Sequence, residues 1–238
     1  MTADEAAAGP PGADAATSWR ELAVARSLDP ARARAEKRVQ RFLDAALELM
    51  NTGSGRDFTV QEVVERSGQS LRSFYQYFAG KHELLLALFE EAVRSAAEYL
   101  REAVDREPAD DSLARLRCYV IEHHELCRPA PRAKSSNKTI TLRAMGEFAQ
   151  QLLTEHPKEA ARAFVPMVAL LDELLDAAGE AGVVRPRLGG SRIAGTILQA
   201  VMFNAFAATI SGTPITEGGD DADELWDFIL HGIGIAPS

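Results

Sequence analysis

The sequence predicts an all-α protein. Apolar residues recur at three- and four-residue steps through most of its 238 residues, and no segment shows the alternation of a half-buried strand. Glycine and proline interrupt these periodic segments, and serine, threonine or aspartate stands at several of the positions where a helix would begin. Roughly nine to eleven helices are expected from these signals.

The composition is that of an ordinary globular protein, with 46% hydrophobic and 26% charged residues. No uninterrupted apolar run reaches the roughly 18 residues of a membrane span, and the acidic N-terminus lacks a secretory core. We therefore expect a cytoplasmic protein with no membrane partner. Cys118 and Cys127 fall within one predicted helix, where a bridge between them does not fit, so reduced thiols are expected.

The N-terminal segment differs from the rest of the chain. Residues 1–17 are rich in Ala, Gly, Pro and Asp without a periodic apolar face, which predicts disorder. A capping-box pattern at 18–21 opens a short amphipathic piece. Asp29 and Pro30 then supply an N-cap and a first helical residue for a new helix. We therefore assign residues 1–29 to a largely disordered extension.

The helix predicted over residues 30–51 has one apolar and one basic face. Its early turns expose a set of cationic side chains, and a Gly/Ser loop follows it. The apolar face consists of Val39, Phe42, Leu43, Ala46, Leu47 and Met50. The basic residues are Arg32, Arg34, Lys37, Arg38 and Arg41.

Residues 59–85, TVQEVVERSGQSLRSFYQYFAGKHELL, predict two short helices joined by a glycine turn. Thr59 and Ser70 are the expected N-caps, and Ser67-Gly68 breaks the chain between the helices. In the second helix Phe74, Tyr77 and Phe78 recur at the spacing that buries one face. The opposite face carries polar and cationic side chains that can reach bases and phosphates.

This segment, T-V-x-x-V-x-x-x-S-G-x-S-x-x-S-F-Y-x-Y-F-x-x-K-x-E-L-L, closely resembles the helix-turn-helix signature of TetR/AcrR transcriptional regulators. The resemblance covers roughly residues 36–90 at the level of the motif. It implies a three-helix DNA-binding head over residues 30–82 and a larger helical ligand-binding and dimerisation domain over 83–238. Gln69 and Arg72 depart from the small residues common in the family, so base contacts cannot be transferred to them.

The resemblance implies contact with a double-stranded DNA operator. Arg72 and Gln76 are the candidates for reading bases, because arginine pairs with guanine and glutamine with adenine in the major groove. Arginines of the first helix either contact phosphates or form a solvated face, and the resemblance favours phosphate contact. The predicted DNA-binding residues are Arg34, Arg38, Arg41, Thr59, Ser70, Leu71, Arg72, Ser73, Tyr75, Gln76 and Lys81.

Charge is distributed unevenly along the chain, whose formal net charge is −9. Residues 18–81 hold eleven Lys/Arg and eight Asp/Glu, a balance of +3; residues 82–238 hold fifteen and twenty-four, a balance of −9; and residues 1–17 carry −3. This division places positive charge beside the helix-turn-helix, where phosphates would lie. Ordinary variation is the alternative explanation of so small a local excess.

The rest of the chain predicts further helices. Their approximate ranges are 81–106, 112–127, 140–154, 157–181, 191–210 and 223–231. The helices at 157–181 and 191–210 are expected to pack across a two-fold axis as a four-helix interface, as the resemblance implies for a homodimer. The apolar residues considered for it are Val165, Val168, Leu171, Leu174, Leu175, Ile193, Ile197, Leu198, Val201 and Phe206. The alternative is that these residues form intramolecular core.

Aromatic, thioether and a few polar side chains on the middle helices suggest a site for a mostly apolar small-molecule effector of lipid, acyl or steroid-like class. Plain core packing is the alternative at each position. The candidate residues are Tyr119, His123, Met145, Phe148, Leu152, Phe164, Met167, Met202 and Phe203.

The sequence offers little for catalysis or cofactor binding. Cys118, Glu122, His123 and Cys127 match no established zinc spacing, and there is no nucleophile elbow, P-loop or dinucleotide fingerprint. We expect no enzyme, no cofactor and no metal. The resemblance predicts a sequence-specific repressor released by its effector. The alternative is a helical ligand-sequestering or enzymatic protein that retains a non-functional DNA head.

Overall fold

The computed structural model describes residues 19–52, 58–127, 145–185, 191–211 and 222–234. Within these ranges the chain forms nine helices and no named strand, in agreement with the all-α prediction. The helices are α1 (Trp19–Thr52), α2 (Val60–Ser67), α3 (Leu71–Tyr77), α4 (Lys81–Val104), α5 (Ser112–Cys127), α6 (Gly146–Glu155), α7 (Pro157–Glu180), α8 (Ser191–Ser211) and α9 (Ala222–Ile233).

Helix α1 is longer than the sequence predicts. It begins at Trp19 and continues through Pro30, so residues 19–29 belong to it rather than to a largely disordered extension. Proline lacks an N–H, and the helix therefore forgoes one backbone hydrogen bond at that point. The guanidinium Nε of Arg34 donates to the Pro30 carbonyl at 3.0 Å. Residues 1–18, including the serine of the expected capping box, lie outside the described ranges.

Local capping explains the boundaries of α2 and α3. Thr59 Oγ1 accepts the backbone N–H of Glu62, whose carboxylate in turn accepts the N–H of Thr59. Gly68 ends α2 with φ of 65°, a left-handed conformation that favours glycine. Ser70 then starts α3 by accepting the N–H of Ser73 at 3.1 Å. All three signals were predicted from the sequence.

The head is held together by a phenylalanine cluster. Phe42 of α1 and Phe74 of α3 are fully buried, with their ring centroids 5.4 Å apart in an edge-to-face arrangement. Phe78 lies 6.2 Å from Phe42 and 5.4 Å from Phe74. Val63 of α2 is also fully buried. These contacts fix α3 against the C-terminal half of α1 and leave its opposite face exposed.

The capping box at Thr59 leads to a stability prediction. Thr59→Ala should lower the free energy of unfolding by about 1 kcal/mol, because an N-cap hydroxyl satisfies a helix-terminal N–H that alanine cannot. Urea denaturation would measure the change. Thr154→Ala is the matched control, since its hydroxyl donates to carbonyls within α6 and caps nothing. Equal losses in the two variants would contradict a capping role for Thr59.

Helix α4 connects the head to the body. Its buried stripe runs from Leu84 to Val104 and packs against α5 and α7. Ion pairs join its surface to α7, where Arg101 contacts Glu173 at 2.9 Å and Arg162 contacts Glu90 at 3.0 Å. A single continuous core therefore extends from the Phe42 cluster into the body.

The later helices follow the predicted order. Helix α6 begins at Gly146, and residues 140–144 of the helix expected over 140–154 lie outside the described ranges. Helix α7 begins with Pro157 at its first position and ends before Gly182, whose φ is 72°. Val184 and Gly234 form an isolated antiparallel bridge that links the chain after α7 to the end of α9.

Most of the apolar residues considered for the homodimer surface are buried within one chain. Leu171, Leu174 and Leu175 of α7 are at most 5% exposed. The buried members on α8 are Ile197, Leu198 and Val201. They face inward because α7 and α8 each pack against α5 as well as against each other. Val165 is 56% exposed, and the side chain of Phe206 lies outside the described part.

Candidate DNA-binding and effector sites

The outer face of α3 presents the predicted base-reading side chains. Arg72 and Gln76, four positions apart on the helix, are both exposed. Within the described residues neither side chain makes a hydrogen bond or ion pair. Leu71 and Tyr75 on the same helix are 47% and 57% exposed. Because the Phe74 face is buried, this arrangement leaves donors and acceptors of α3 directed toward solvent.

The two serines of α3 differ in their surroundings. Ser70 is exposed and its hydroxyl oxygen is occupied by the N-cap bond. Ser73 is half-buried, and its Oγ finds no hydrogen-bond partner within the described ranges. Gln69, on the turn before α3, is also half-buried, with its amide nitrogen directed inward. Thr59 is exposed, but its hydroxyl both accepts from and donates to Glu62.

Lys81 lies at the start of α4, beside the turn into α2. Its ammonium donates to the Phe58 carbonyl and lies 4.4 Å from the centroid of the Phe58 ring. Lys81 therefore anchors the loop before α2 as well as supplying positive charge, a structural role that the sequence did not reveal.

The predicted basic residues of α1 precede its buried stripe or border its start. Arg34, Arg38 and Arg41 are all exposed, and from residue 30 onward the first buried residue of α1 is Phe42. Arg32 forms an ion pair with Glu36 at 2.8 Å on the same segment. The helix thus carries its cationic side chains beyond the packed head, which is compatible with either phosphate contact or a solvated face.

The predicted effector residues, except one, meet in the interior of the body. Tyr119 donates a hydrogen bond to the Met167 carbonyl at 3.1 Å, and its ring lies 5.7 Å from that of His123. Phe89 of α4, which is not among the predicted effector residues, has its ring centroid 6.1 Å from that of Phe148 and 5.3 Å from that of Phe164. The remaining buried members are Met145, Leu152 and Met202.

Phe203 is the exception, since it is 72% exposed and does not line the interior. Its neighbour Met202 is buried. Consecutive residues of an α-helix are separated by about 100° around its axis, so they seldom face the same core. Phe203 therefore belongs to the outer surface of α8, and its prediction as an effector contact is not supported by this position.

His123 is a fully buried histidine with no hydrogen-bond partner for either ring nitrogen within the described part of the chain. Desolvation, with a smaller contribution from His124, lowers the pKa of His123 to about 3. The imidazole is therefore neutral at physiological pH. Leaving a buried polar group unsatisfied costs about 1–3 kcal/mol, which a ligand with a complementary polar group would recover.

This burial predicts acid sensitivity. Between about pH 6.5 and 3 the unfolded chain protonates His123 while the folded chain does not, so stability falls as pH falls, with a limiting slope of about 1.4 kcal/mol per pH unit. His123→Leu should remove that component from unfolding curves measured between about pH 7 and 5. His231→Ala, on the exposed side of α9, is the control. An unchanged slope in His123→Leu would contradict the prediction.

A second group of polar side chains lies where the head joins the body. The ligand atoms of His82, His156 and Glu159 all lie within 4.8 Å of one another. His82 Nε2 is 3.0 Å from Glu159 Oε2, and His156 Nδ1 is 3.9 Å from Glu159 Oε1. This group was not predicted from the sequence. The only local signal was His156-x-x-Glu159 on one helical turn, because His82 is distant in the sequence.

A surface groove of about 500 Å³ runs between α1, α4 and α7. Charged residues from α4 and α7 line it, including the ion pairs Arg94–Glu91 and Arg162–Glu90. It contains none of the predicted effector residues. The predicted effector residues other than Phe203 are buried in the core, away from this groove.

Comparison with known proteins extends these observations. Residues 42–88 match the family profile described as bacterial regulatory proteins, tetR family. No relative among curated proteins matches the sequence. The matched range contains the end of α1, all of α2 and α3, and the start of α4, and therefore the Phe42 cluster and the exposed face of α3.

Solved structures share the fold over most of the chain. A TetR-family transcriptional regulator from Pectobacterium atrosepticum aligns with a TM-score of 0.62 at 18% identity, covering 87% of this chain and 99% of that one. FadR of Thermus thermophilus, a repressor solved with lauroyl-CoA, aligns with 0.61 at 21%, covering 84% and 97%. FadR of Bacillus subtilis, solved with stearoyl-CoA, aligns with 0.58 at 17%, covering 82% and 98%.

Proposed function

Because residues 42–88 match the tetR-family profile and the fold is shared with TetR-family regulators, we propose that the chain is a repressor of this family that binds an operator as a homodimer and is released by a mostly apolar small molecule. The DNA-binding head and the non-enzymatic character are properties of the family. Repression, the class of effector and the residues that carry each contact are the proposal.

The exposed face of α3 is the observation that carries operator recognition. Arg72 and Gln76 project from a helix whose other face is held by Phe74, so their positions are set while their hydrogen-bonding groups make no bond to any other described residue. In this mode Arg72 and Gln76 read base edges. Ser70, Tyr75 and Lys81 contact phosphates and set the register of the helix.

The homodimer joins two heads through α7 and α8. Val165 of α7 and Phe203 of α8, at 56% and 72% exposure, support this surface because large apolar side chains gain by leaving water. Two-fold symmetry places the recognition helices on half-sites about 34 Å apart, one turn of DNA.

The effector site lies around Tyr119 and His123. Its surroundings are apolar, with Met167 and Phe164 nearby on α7, and His123 supplies an unsatisfied polar group. A lipid, acyl or steroid-like molecule with one polar group fits this chemistry. Such a molecule releases DNA only if it binds the DNA-free arrangement more tightly than the DNA-bound one.

Footprinting on DNA upstream of the protein's own gene tests the proposal. We expect salt-dependent protection of a palindrome whose half-sites are about one helical turn apart. A series of acyl-CoA molecules of increasing chain length, with CoA alone as control, should then release the protein. Absence of a protected palindrome would contradict operator binding. Protection that persists in the presence of a wide panel of lipids, acyl compounds and steroids would contradict the proposed release by an apolar effector.

A further inference from the structure

The group of His82, His156 and Glu159 joins two remote parts of the chain. His82 is the second residue of α4 and follows Lys81 of the head. His156 occupies the corner between α6 and α7, and Glu159 lies in the first turn of α7. These three side chains are therefore a direct polar connection between the start of α4 and the body, apart from the α3 surface and bordered by Phe148 of the predicted effector set.

The geometry is close to that of a metal site. Zinc binds histidine nitrogen and carboxylate oxygen at about 2.0–2.2 Å, which places tetrahedral ligand atoms roughly 3.3–3.5 Å apart. The distance from His82 Nε2 to Glu159 Oε2 is 3.0 Å, and that from His156 Nδ1 to Glu159 Oε1 is 3.9 Å. These distances lie on either side of the range expected for zinc ligands. The imidazole rings are 4.8 Å apart at an angle of 41°. Small side-chain rotations would bring all three ligand atoms to one ion.

The surroundings allow an ion to enter and to be held. The side chains of His82, His156 and Glu159 are 43%, 42% and 36% exposed, so access needs no unfolding. Phe148 packs 5.8 Å from His82 and forms an apolar wall on one side.

We propose that His82, His156 and Glu159 form a three-ligand site for a divalent transition-metal ion such as Zn²⁺, with water at the fourth position. Two imidazoles and one carboxylate suit zinc, cobalt, nickel or copper. Calcium and magnesium prefer oxygen ligands and are disfavoured by this set. Without metal, the same residues form a hydrogen-bonded histidine–glutamate pair.

A bound ion would tie the first turn of α4 to the α6–α7 corner. This consequence rests on the proposed function, because it matters only if the position of the head sets operator affinity. The ion then changes operator affinity to the extent that its site differs between the DNA-bound and DNA-free arrangements. By linkage, operator DNA changes the affinity for the ion by the same factor.

Metal titration of the full-length, chelator-treated protein tests the site directly. Co²⁺ should give the visible absorption of a tetrahedral ion with one equivalent per chain, and Zn²⁺ should displace it. In His156→Ala and Glu159→Gln we expect Zn²⁺ affinity, measured against a chromophoric chelator, to fall at least about 100-fold, since second-shell changes alone cost 10- to 100-fold. Glu159→Gln is nearly isosteric, so it preserves the test if His156→Ala folds poorly.

Two variants serve as matched controls. His231→Ala removes an exposed histidine on α9, and Cys118→Ser removes the partly exposed thiol of α5. Both should bind Zn²⁺ like the wild type. Failure of the wild type to bind one equivalent would overturn the proposal. Binding retained in both His156→Ala and Glu159→Gln would overturn it as well.

Operator binding with and without saturating Zn²⁺ tests the coupling. We expect at least about a five-fold change in operator affinity, the lower end of typical allosteric coupling, and no change in Glu159→Gln. Equal operator affinities of the wild type with and without Zn²⁺ would overturn the coupling. The metal titration would still show whether the ion binds at this site. If the wild type protects no operator at all, the proposed function fails, and the metal titration stands independently.

Discussion

Phe42→Ala is expected to destabilise the head by about 3–5 kcal/mol and to abolish operator binding. Phe42 is fully buried and contacts both aromatic anchors of α3, with Phe74 at 5.4 Å and Phe78 at 6.2 Å. Removing the ring leaves a cavity and ends two edge-to-face contacts. A domain with about 5–15 kcal/mol of total stability loses much of its margin by such a change.

Chemical denaturation followed by circular dichroism would measure this loss, and a labelled operator would report the head directly. Phe42→Leu, which refills most of the volume, should cost much less. Phe228→Ala is the matched control, because Phe228 is 75% exposed and its removal should change stability by no more than about 0.5 kcal/mol. A stable Phe42→Ala protein with normal operator affinity would show that the aromatic cluster does not fix α3.

Arg72→Ala is expected to weaken operator binding by about 1–3 kcal/mol, or about 5- to 150-fold, without loss of stability. Arg72 is exposed and has no hydrogen bond or ion pair within the described residues, so alanine removes no contact of the folded chain. In the complex a guanidinium donates two parallel hydrogen bonds to guanine. Arg72→Lys keeps the charge but loses this fork, and should recover phosphate attraction without base preference.

Competition among operators that differ at single base pairs would separate the two contributions. Arg72→Ala should relax preference at one position of each half-site, whereas a residue that contacts only phosphates weakens all sequences alike. Arg66→Ala is the matched control, because its guanidinium already pairs with Glu48 of α1 at 3.2 Å. If Arg72→Ala leaves both affinity and base preference unchanged, Arg72 does not read bases.

Several structural features of the head could be predicted from residues close together in the sequence. The caps at Thr59 and Ser70, the left-handed Gly68 and the burial of Phe74 and Phe78 were all predicted, and the structure confirms them. The caps and the turn depend on residues within about four positions along the chain, whereas helical spacing indicates which face of α3 is buried but not that Phe42 of α1 covers it. The start of α1 was predicted less well, since Pro30 is a strong start signal that helix continuity overrides.

The body shows where prediction from a single sequence fails. Met202 and Phe203 are equally suited to a pocket, yet one is buried and the other exposed. Leu171 and Leu174 are suited to a dimer surface, yet both are covered within the chain. Amphipathic periodicity identifies an apolar face but not the element that covers it, because that depends on the packing of remote helices.

The sequence by itself therefore determined the all-helical class, the order of the helices and the DNA-binding character of the segment around residues 59–85. The helical class and order follow from local capping and from residue types at helical spacing, and the DNA-binding character follows from the resemblance of this segment to the TetR/AcrR signature. Only the tertiary structure decided that Lys81 anchors Phe58, that His123 is buried without a hydrogen-bond partner among the residues the structure describes, and that His82 meets His156 and Glu159. Each of these depends on contacts between segments far apart in the chain, which the fold alone brings together.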